Sequence, residues 1–451
     1  MAKRKYEIDM CADPLLPKLF QFAFPLMLSG VLQLLFNAAD IIVVGRFSGK
    51  EALAAVGSTG SLINLIVNIF MGLSIGTNVL AARYMGAKDE ANVRETVHTS
   101  VAVSILCGTI LIFVGIFLAE PLLVMMGTPD DVLPKSALYL RIYFLSMPAL
   151  MLYNFGSAVL RAVGDTKRPL FYLTVSGIIN VICNLFFVIV LKLDVAGVAI
   201  ATSISQVVSA LLVLNCLIHA TGAYKVEMKD VKIHRDKLAS MIKIGLPAGL
   251  QGCIFSLSNV LIQSSVNSFG SVAMAGNAAA VNIEGFVWIS MNAFYQANLS
   301  FTSQNLGGRK YSRINKIAFS NVAIVIILGM IMGNIVYFFG ESLISIYNPD
   351  PGVIDFGMRR FYYVVRLSFI GGMMDCIVGA MRGLGYSVIP TLVSLTGACA
   401  FRVLWIFTVF KANPTPEVLF LSYPVSWAIT AFCHMICFFF VRRKLPKKDE
   451  I

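Results

Sequence analysis

The chain has 451 residues, 57% of them hydrophobic and 13% charged, with a formal net charge of +12. That is more apolar side chain than one water-soluble core can bury, which excludes an ordinary soluble domain and places the chain in lipid. The positive charge is scattered over many short segments, a pattern that fits membrane topology and gives no ground for a nucleic-acid partner.

A helix needs about 20 apolar residues to cross the hydrocarbon core. Twelve such stretches follow one another: Phe20 to Val44, Leu53 to Ala82, Val93 to Leu118, Leu138 to Leu160, Leu170 to Val190, Val195 to Ile218, Met241 to Ser265, Ala273 to Ser303, Ile314 to Phe339, Phe361 to Met381, Pro390 to Phe410 and Val418 to Val441. The N-terminus lacks a short apolar region with a small-residue cleavage site, so the first stretch is expected to stay as a membrane helix. Between the sixth and seventh stretches lies the one polar, linker-like segment, His219 to Ser240. The other connections are short, with no room for a soluble domain and no P-loop spacing, which argues against an ATP-driven pump.

The ten residues Leu160 to Pro169 recur as Met381 to Pro390, 221 positions later, with Arg161 and Arg382, Gly164 and Gly385, and Pro169 and Pro390 in register. An offset of 222 pairs Pro25, Gly30 and Asn37 with Pro247, Gly252 and Asn259. Six stretches fall in each copy, and an even number gives both copies one orientation, related by an axis along the membrane normal. The expected fold is therefore an all-α membrane protein of twelve transmembrane helices in two pseudo-symmetric six-helix bundles, a parallel 6+6 repeat. Its expected division is an N-terminal bundle over 1–218, a cytoplasmic linker over 219–240 and a C-terminal bundle over 241–451. Arg161, Gly164, Pro169, Arg382, Gly385 and Pro390 read as turn and topology residues, and Pro25 as a bend in the first helix.

Lys3, Arg4, Lys5, Lys18, Arg83, Lys88, Arg94, Arg161, Lys167, Arg168, Arg309, Lys310, Arg313, Lys316, Arg382, the linker and the tail Arg442 to Lys448 all fall on one side of this arrangement. The opposite side holds few basic residues, among them Arg46, Lys50, Lys192 and Lys411. The positive-inside rule then puts both termini in the cytoplasm of a multi-pass protein of the cell (inner) membrane. The nine Cys lie singly, without a disulfide framework or zinc spacing.

Polar groups at membrane depth are costly, on the order of 2.5 to 3.5 kcal/mol for an ionisable one, so each is a site candidate. On the first helix Gln33, Asn37 and Asp40 share one face. Asp40 is the one carboxylate in the interior of the first copy's spans, Glu95 lying in the first turn of the third stretch. By helical rise Asp40 lies about 9 Å below the outer surface, Asn184 on the fifth helix about 12 Å and Thr202 on the sixth about 10 Å, with Asn180 one turn from Asn184. Neutral amides and a hydroxyl around one carboxylate suit a bare cation or a proton, and the same groups also serve as plain interhelical glue. In the second copy Ile262 stands where the repeat puts Asp40. That copy instead embeds Glu284, Arg366, Asp375 and Arg402, either a self-neutralising network or part of a site. Asn277, Glu284, Trp288, Asn292 and Tyr295 fall near one helix face and, with Asn259, would give a substrate cavity an acid, amides and aromatics. His98 and His434 read as packing residues. No nucleophile and base, or metal set, points to an enzyme.

Over roughly residues 15 to 440 the chain resembles the multidrug and toxic compound extrusion (MATE) family of prokaryotic type. The resemblance rests on the two repeated junctions, on Pro25, Gln33, Asn37 and Asp40 before an Ala-rich second helix, and on Gln304-Asn305-Leu306-Gly307. It implies two six-helix bundles around a cavity that opens to either side in turn, exporting organic, often cationic, compounds in exchange for H⁺ or Na⁺. It also implies a coupling site at Asp40, Asn180 and Thr202, with these three as candidate Na⁺ ligands. Many members carry a second acid where this chain has Asn184, and its absence favours H⁺. The other reading is a lipid-linked precursor flippase of the same superfamily, which would want basic residues in the cavity such as Arg366 and Arg402. No cofactor beyond the coupling ion, H⁺ or Na⁺, is expected, and the partners are a small organic substrate and the bilayer, with the chain as a monomer.

The charge asymmetry is testable by fusion. Green fluorescent protein joined after residue 451 is expected to fluoresce and alkaline phosphatase at the same place to be inactive. The reverse pattern would put the C-terminus outside.

Overall fold

A computed structural model of the chain describes residues 6–446, 448 and 449; Lys3, Arg4, Lys5 and Lys447, counted above for topology, lie outside the described residues. Among the described residues the structure is helical, with ten helices long and apolar enough to cross a membrane, or up to twelve when each of two bent pairs is one span. In chain order they are α1 (Leu15–Phe47), α2 (Lys50–Gly86), α3 (Glu90–Met125), α4 (Leu133–Leu145 and Met147–Ala162), α5 (Lys167–Val190) and α6 (Asp194–Ile218). The second set is α7 (Arg235–Asn267), α8 (Ser271–Gly307), α9 (Tyr311–Phe338), α10 (Pro351–Val365 and Ser368–Gly383), α11 (Val388–Phe410) and α12 (Pro416–Arg443). Twelve spans in two sets of six match the expected fold class.

Helix starts carry the expected chemistry. Asp89 caps α3 by accepting the Asn92 amide, and its carboxyl is held below the usual range by those hydrogen bonds. Asp350 caps α10 ahead of Pro351, and Thr415 caps α12 ahead of Pro416. The bends also have causes. α4 turns by 49° at Ser146, just before Pro148, whose ring nitrogen donates no helical hydrogen bond. α10 turns by 42° after the π turn Phe361–Val365. Ser146 and Leu367, at the two breaks, are separated by the repeat offset of 221.

The described residues form two compact units. The first is Leu28–Gly249 with the segment up to Asp9, and the second is Met10–Met27 with the chain from Leu250 onward. The boundary therefore falls inside α1 and α7 instead of at the 219–240 linker. The linker packs with the first unit. Tyr224 and Val226 are buried, Tyr224 donates to Glu7 at 2.8 Å, and the Glu227 amide donates to His98 Nε2 at 3.0 Å.

Within the first unit α2 meets the early part of α7 backbone to backbone. Gly72 and Gly76 on α2 and Gly245 and Gly249 on α7 are spaced as small-xxx-small pairs, which lets two helices approach closely in lipid. A β-carbon at Gly72 would lie 2.4 Å from the Gly245 carbonyl oxygen, and one at Gly76 would lie 2.4 Å from the Met241 carbonyl oxygen. Another close approach occurs once in each unit at the repeat offset: Gly108 against Pro148 in the first and Gly329 against Phe369 in the second. The repeated turn is duplicated to the same detail. Gly164 and Gly385 have φ of 85° and 91°, a left-handed conformation that glycine adopts without a side-chain clash. Around them the Asp165 and Tyr386 amides reach back to the Leu160 and Met381 carbonyls at 2.9 and 3.0 Å, closing each helix end.

Gly72→Ala is expected to overpack the α2–α7 contact and cost about 1–3 kcal/mol. Gly57→Ala, where nothing lies within 4 Å, should gain about 0.5–1 kcal/mol from helix propensity. Thermal unfolding midpoints in detergent measure both, and equal midpoints would contradict the contact.

Candidate functional site

In the first unit the packing of α1 on α5 builds the site. Gly177 leaves the α5 backbone bare, and the Phe36 ring lies against it so closely that a β-carbon there would be 1.9 Å from the ring. One turn further along α1 is Asp40, and two turns along α5 is Asn184, so the same contact carries the carboxylate to the amide. Asn184 Nδ2 donates to Asp40 Oδ1. The same Nδ2 lies 3.3 Å from Asn180 Oδ1, and Asn180 Nδ2 donates to Thr202 Oγ1 on α6 at 3.4 Å. Asn180 and Asn184 are buried, while Asp40 and Thr202 are half-buried. Four of the residues singled out in the sequence thus form one hydrogen-bonded chain across α1, α5 and α6, with Asn184 donating both to Asp40 and toward Asn180, and Asn180 donating on to Thr202.

Gln33 and Asn37 lie on α1 with exposed side chains, and no hydrogen bond among the described residues joins them to the chain. Sequence reading missed the α4 side of the site. Tyr139 and Tyr143 stack at 5.9 Å and lie within electrostatic reach of Asp40. Behind them Ser146 Oγ donates to Gln206 Oε1 on α6 at 2.6 Å. Two tyrosines one turn apart in a span were the available signal. One side-chain oxygen at the centre, Asn184 Oδ1, is buried without a hydrogen-bond partner among the described residues.

In the second unit Glu284 does not pair with Arg366, Arg402 or any residue placed within the tenth stretch above. Its partner is Arg360, whose Nη2 and Nε lie 2.8 and 2.9 Å from Glu284 Oε2. Trp288 Nε1 donates to the other carboxylate oxygen at 2.8 Å, and Arg360 also donates to Asn277 at 3.1 Å. The hydropathy boundary drawn at Phe361 left Arg360 out by one position. Arg360 lies over the Tyr423 ring, and Arg402 lies over Tyr423 and Trp427 while donating to Ser426 at 2.8 Å. Arg366 stacks between Tyr337 and Tyr362 and donates to Asn334 at 3.2 Å. Asp375 is half-buried, with Arg382 and Arg402 as the cations in electrostatic reach.

The residues expected to line a substrate cavity separate. Glu284 and Trp288 belong to the Arg360 cluster. Tyr295 is buried and accepts from Arg382 at 2.7 Å, and Arg382 also donates to Gln251 at 2.9 Å. Asn292 and Asn259 are exposed. Arg161 and its repeat partner Arg382 each have Nε buried without an acceptor among the described residues. Pro25 and Pro247 lie inside α1 and α7, and Pro169 and Pro390 lie in the first turns of α5 and α11. His98 is buried and held at both ring nitrogens, by the Arg94 carbonyl at 2.7 Å and the Glu227 amide. His434 is buried beside Ser394 and the Pro390 carbonyl.

Comparison with known proteins places this architecture. The MatE family profile matches residues 25–186 and 247–408, once on each repeat. The chain is 28% identical over 420 residues to "Probable multidrug resistance protein YoeA" of Bacillus subtilis (strain 168), covering 91% of this chain and 90% of that one. It is 25% identical over 343 residues to the "FAD transporter" of Shewanella oneidensis, covering 75% of each. Among solved structures, the Vibrio cholerae MATE transporter VcmN in its bent form superposes with a TM-score of 0.87 at 21% identity, over 95% of this chain and 97% of that one. With both repeats matched by one family and the fold shared along nearly its full length, the chain belongs to the MatE family: it is a multi-pass membrane transporter of the multidrug-efflux kind and not an enzyme.

Proposed function

We propose that the chain is a cation-coupled antiporter that exports organic compounds by alternating access, with H⁺ rather than Na⁺ as the coupling ion and Asp40 as the group that carries it. The observation behind this reading is the hydrogen-bonded chain that links Asp40 through Asn184 and Asn180 to Thr202. As a carboxylate, Asp40 accepts the Asn184 N–H; once protonated it has an O–H to donate. Asn184 must then turn its amide over to offer Oδ1, the buried oxygen that otherwise has no partner. That rotation also withdraws its N–H from Asn180, so one proton re-orders the contacts of three helices. Pro25, which removes a helical hydrogen bond from α1, gives that helix a place to bend.

Na⁺ would use the oxygens of Asp40, Asn180 and Thr202, one charge among neutral groups, whereas a proton needs the carboxylate alone. Asn184 in place of a second acid lowers the negative charge of the site and favours the proton. One proton in for one monovalent cation out moves no net charge and draws about 1.4 kcal/mol per pH unit; a second proton would add the membrane potential. The substrates are small organic molecules, often cationic, and the relative named for FAD argues against restricting them to cations. Orientation with both termini in the cytoplasm, in the cell membrane and as a monomer, completes the reading. The flippase alternative loses support because Arg360, Arg366 and Arg402 are taken up by Glu284, Asn334, Ser426 and aromatic rings.

The two acids are assigned different roles, Asp40 to coupling and Glu284 to scaffold, and purified protein in liposomes separates them. Asp40→Asn is expected to abolish H⁺-coupled dye efflux while folding normally; undiminished coupled efflux would remove Asp40 from the role, and efflux driven by a Na⁺ gradient alone would transfer the coupling to Na⁺. Glu284→Gln leaves Arg360 buried without its counter-charge and is expected to cost about 3–5 kcal/mol of stability. An unchanged thermal midpoint with lost efflux would instead put Glu284 in substrate handling.

A further inference from the structure

A cleft of about 700 Å³ opens in the second unit between the start of α1 and the first turns of α9. Its walls include Leu15, Leu16 and Pro17 from α1, and Lys316, Phe319 and Ser320 from one face of α9. The wall is mostly apolar, and its polar groups differ in whether they are already engaged. Asp13, at the rim, pairs with Arg313 at 2.7 Å, which holds its carboxyl below the usual range. Asn315 Oδ1 accepts from Arg442 at 3.2 Å. Lys316 is exposed and makes no ion pair or hydrogen bond among the described residues.

We propose that this cleft binds an anionic phospholipid of the leaflet on the N-terminal side. The cleft lies at the first turns of two membrane-crossing helices, the level of lipid headgroups. A phosphate there would meet the Lys316 ammonium and the Ser320 hydroxyl. Arg313 neutralises the one acid that lines the cleft, Asp13, which leaves the Lys316 charge to meet the phosphate. Below the headgroup, Leu16, Phe20 and Phe319 are 51%, 51% and 44% exposed and offer a continuous apolar track for an acyl chain. A soluble phosphate compound would leave that track without a partner. A zwitterionic lipid would set its own ammonium against Lys316. The proposal is independent of the role given to Asp40, and the variants that test it leave the coupling residues untouched.

Full-length protein is reconstituted in nanodiscs of equal phosphatidylglycerol and phosphatidylcholine, released in the mass spectrometer, and the retained lipid counted. Phosphatidylglycerol is expected to be kept over phosphatidylcholine by about fivefold, with Lys316→Glu and the milder Lys316→Ala removing the preference. Lys229→Glu, an exposed site on the linker, is the charge-matched control and should keep it. Equal retention of the two lipids by the unmodified chain overturns the proposal. So does a preference that survives both Lys316 substitutions, or one that falls as much in the Lys229 variant, since it would then reflect net charge and not this cleft.

Discussion

Lipid offers no hydrogen bonds, and the internal chemistry of this protein follows from that. Each polar group carried into a span must find its partner on another helix or on its own turn, because water cannot supply one. Asp40 meets Asn184, Glu284 meets Arg360 and Trp288, and Arg402 meets Ser426 and two aromatic rings. The same constraint explains the bare glycines. With no hydrophobic drive between helices in lipid, close backbone approach provides the attraction, and Gly72, Gly76, Gly245 and Gly249 provide the closeness. At Gly177 the approach has a second effect, since the ring of Phe36 resting on it fixes the register that brings Asp40 to Asn184.

The duplication shows which features are scaffold. The bend in the fourth span of each copy, the glycine facing it and the left-handed turn at Gly164 and Gly385 recur in both units. The turn's arginines do not share one environment. Arg382 donates from its two terminal nitrogens to Tyr295 and Gln251, where the first copy has Ser74 and Ser29 at the corresponding positions, while the Nε of each arginine is buried without an acceptor among the described residues. The acids diverge as well. Asp40 sits beside neutral amides, with no cation paired to it among the described residues. Glu284 is locked to a guanidinium, where losing its charge would strand a buried cation. Ile262, at the repeat position of Asp40, is buried in the apolar core of its unit.

The spans, the repeat and the family resemblance were legible in the sequence because hydropathy over a bilayer's thickness and identity at a fixed offset are both one-dimensional signals. So were the four residues of the hydrogen-bonded chain at Asp40, since few polar groups occur at that depth and helical rise alone places three of them level. Legibility failed wherever a partner came from a helix distant in the chain. Arg360 sits one residue outside a hydropathy boundary, yet burial and Glu284 make it an interior residue. Tyr139 and Tyr143 were indistinguishable from the other aromatics until α4 was seen to face Asp40.

The amino-acid sequence by itself determined that this is a duplicated, twelve-span membrane chain with one carboxylate in the interior of its first copy's spans, because lipid permits few polar residues and each therefore stands out. Only the tertiary structure decided which of the interior charges are paired and which are left to change. A charge's role depends on the group that touches it. For Asp40 that group is an amide brought by Gly177, and for Glu284 it is a guanidinium 76 residues along the chain.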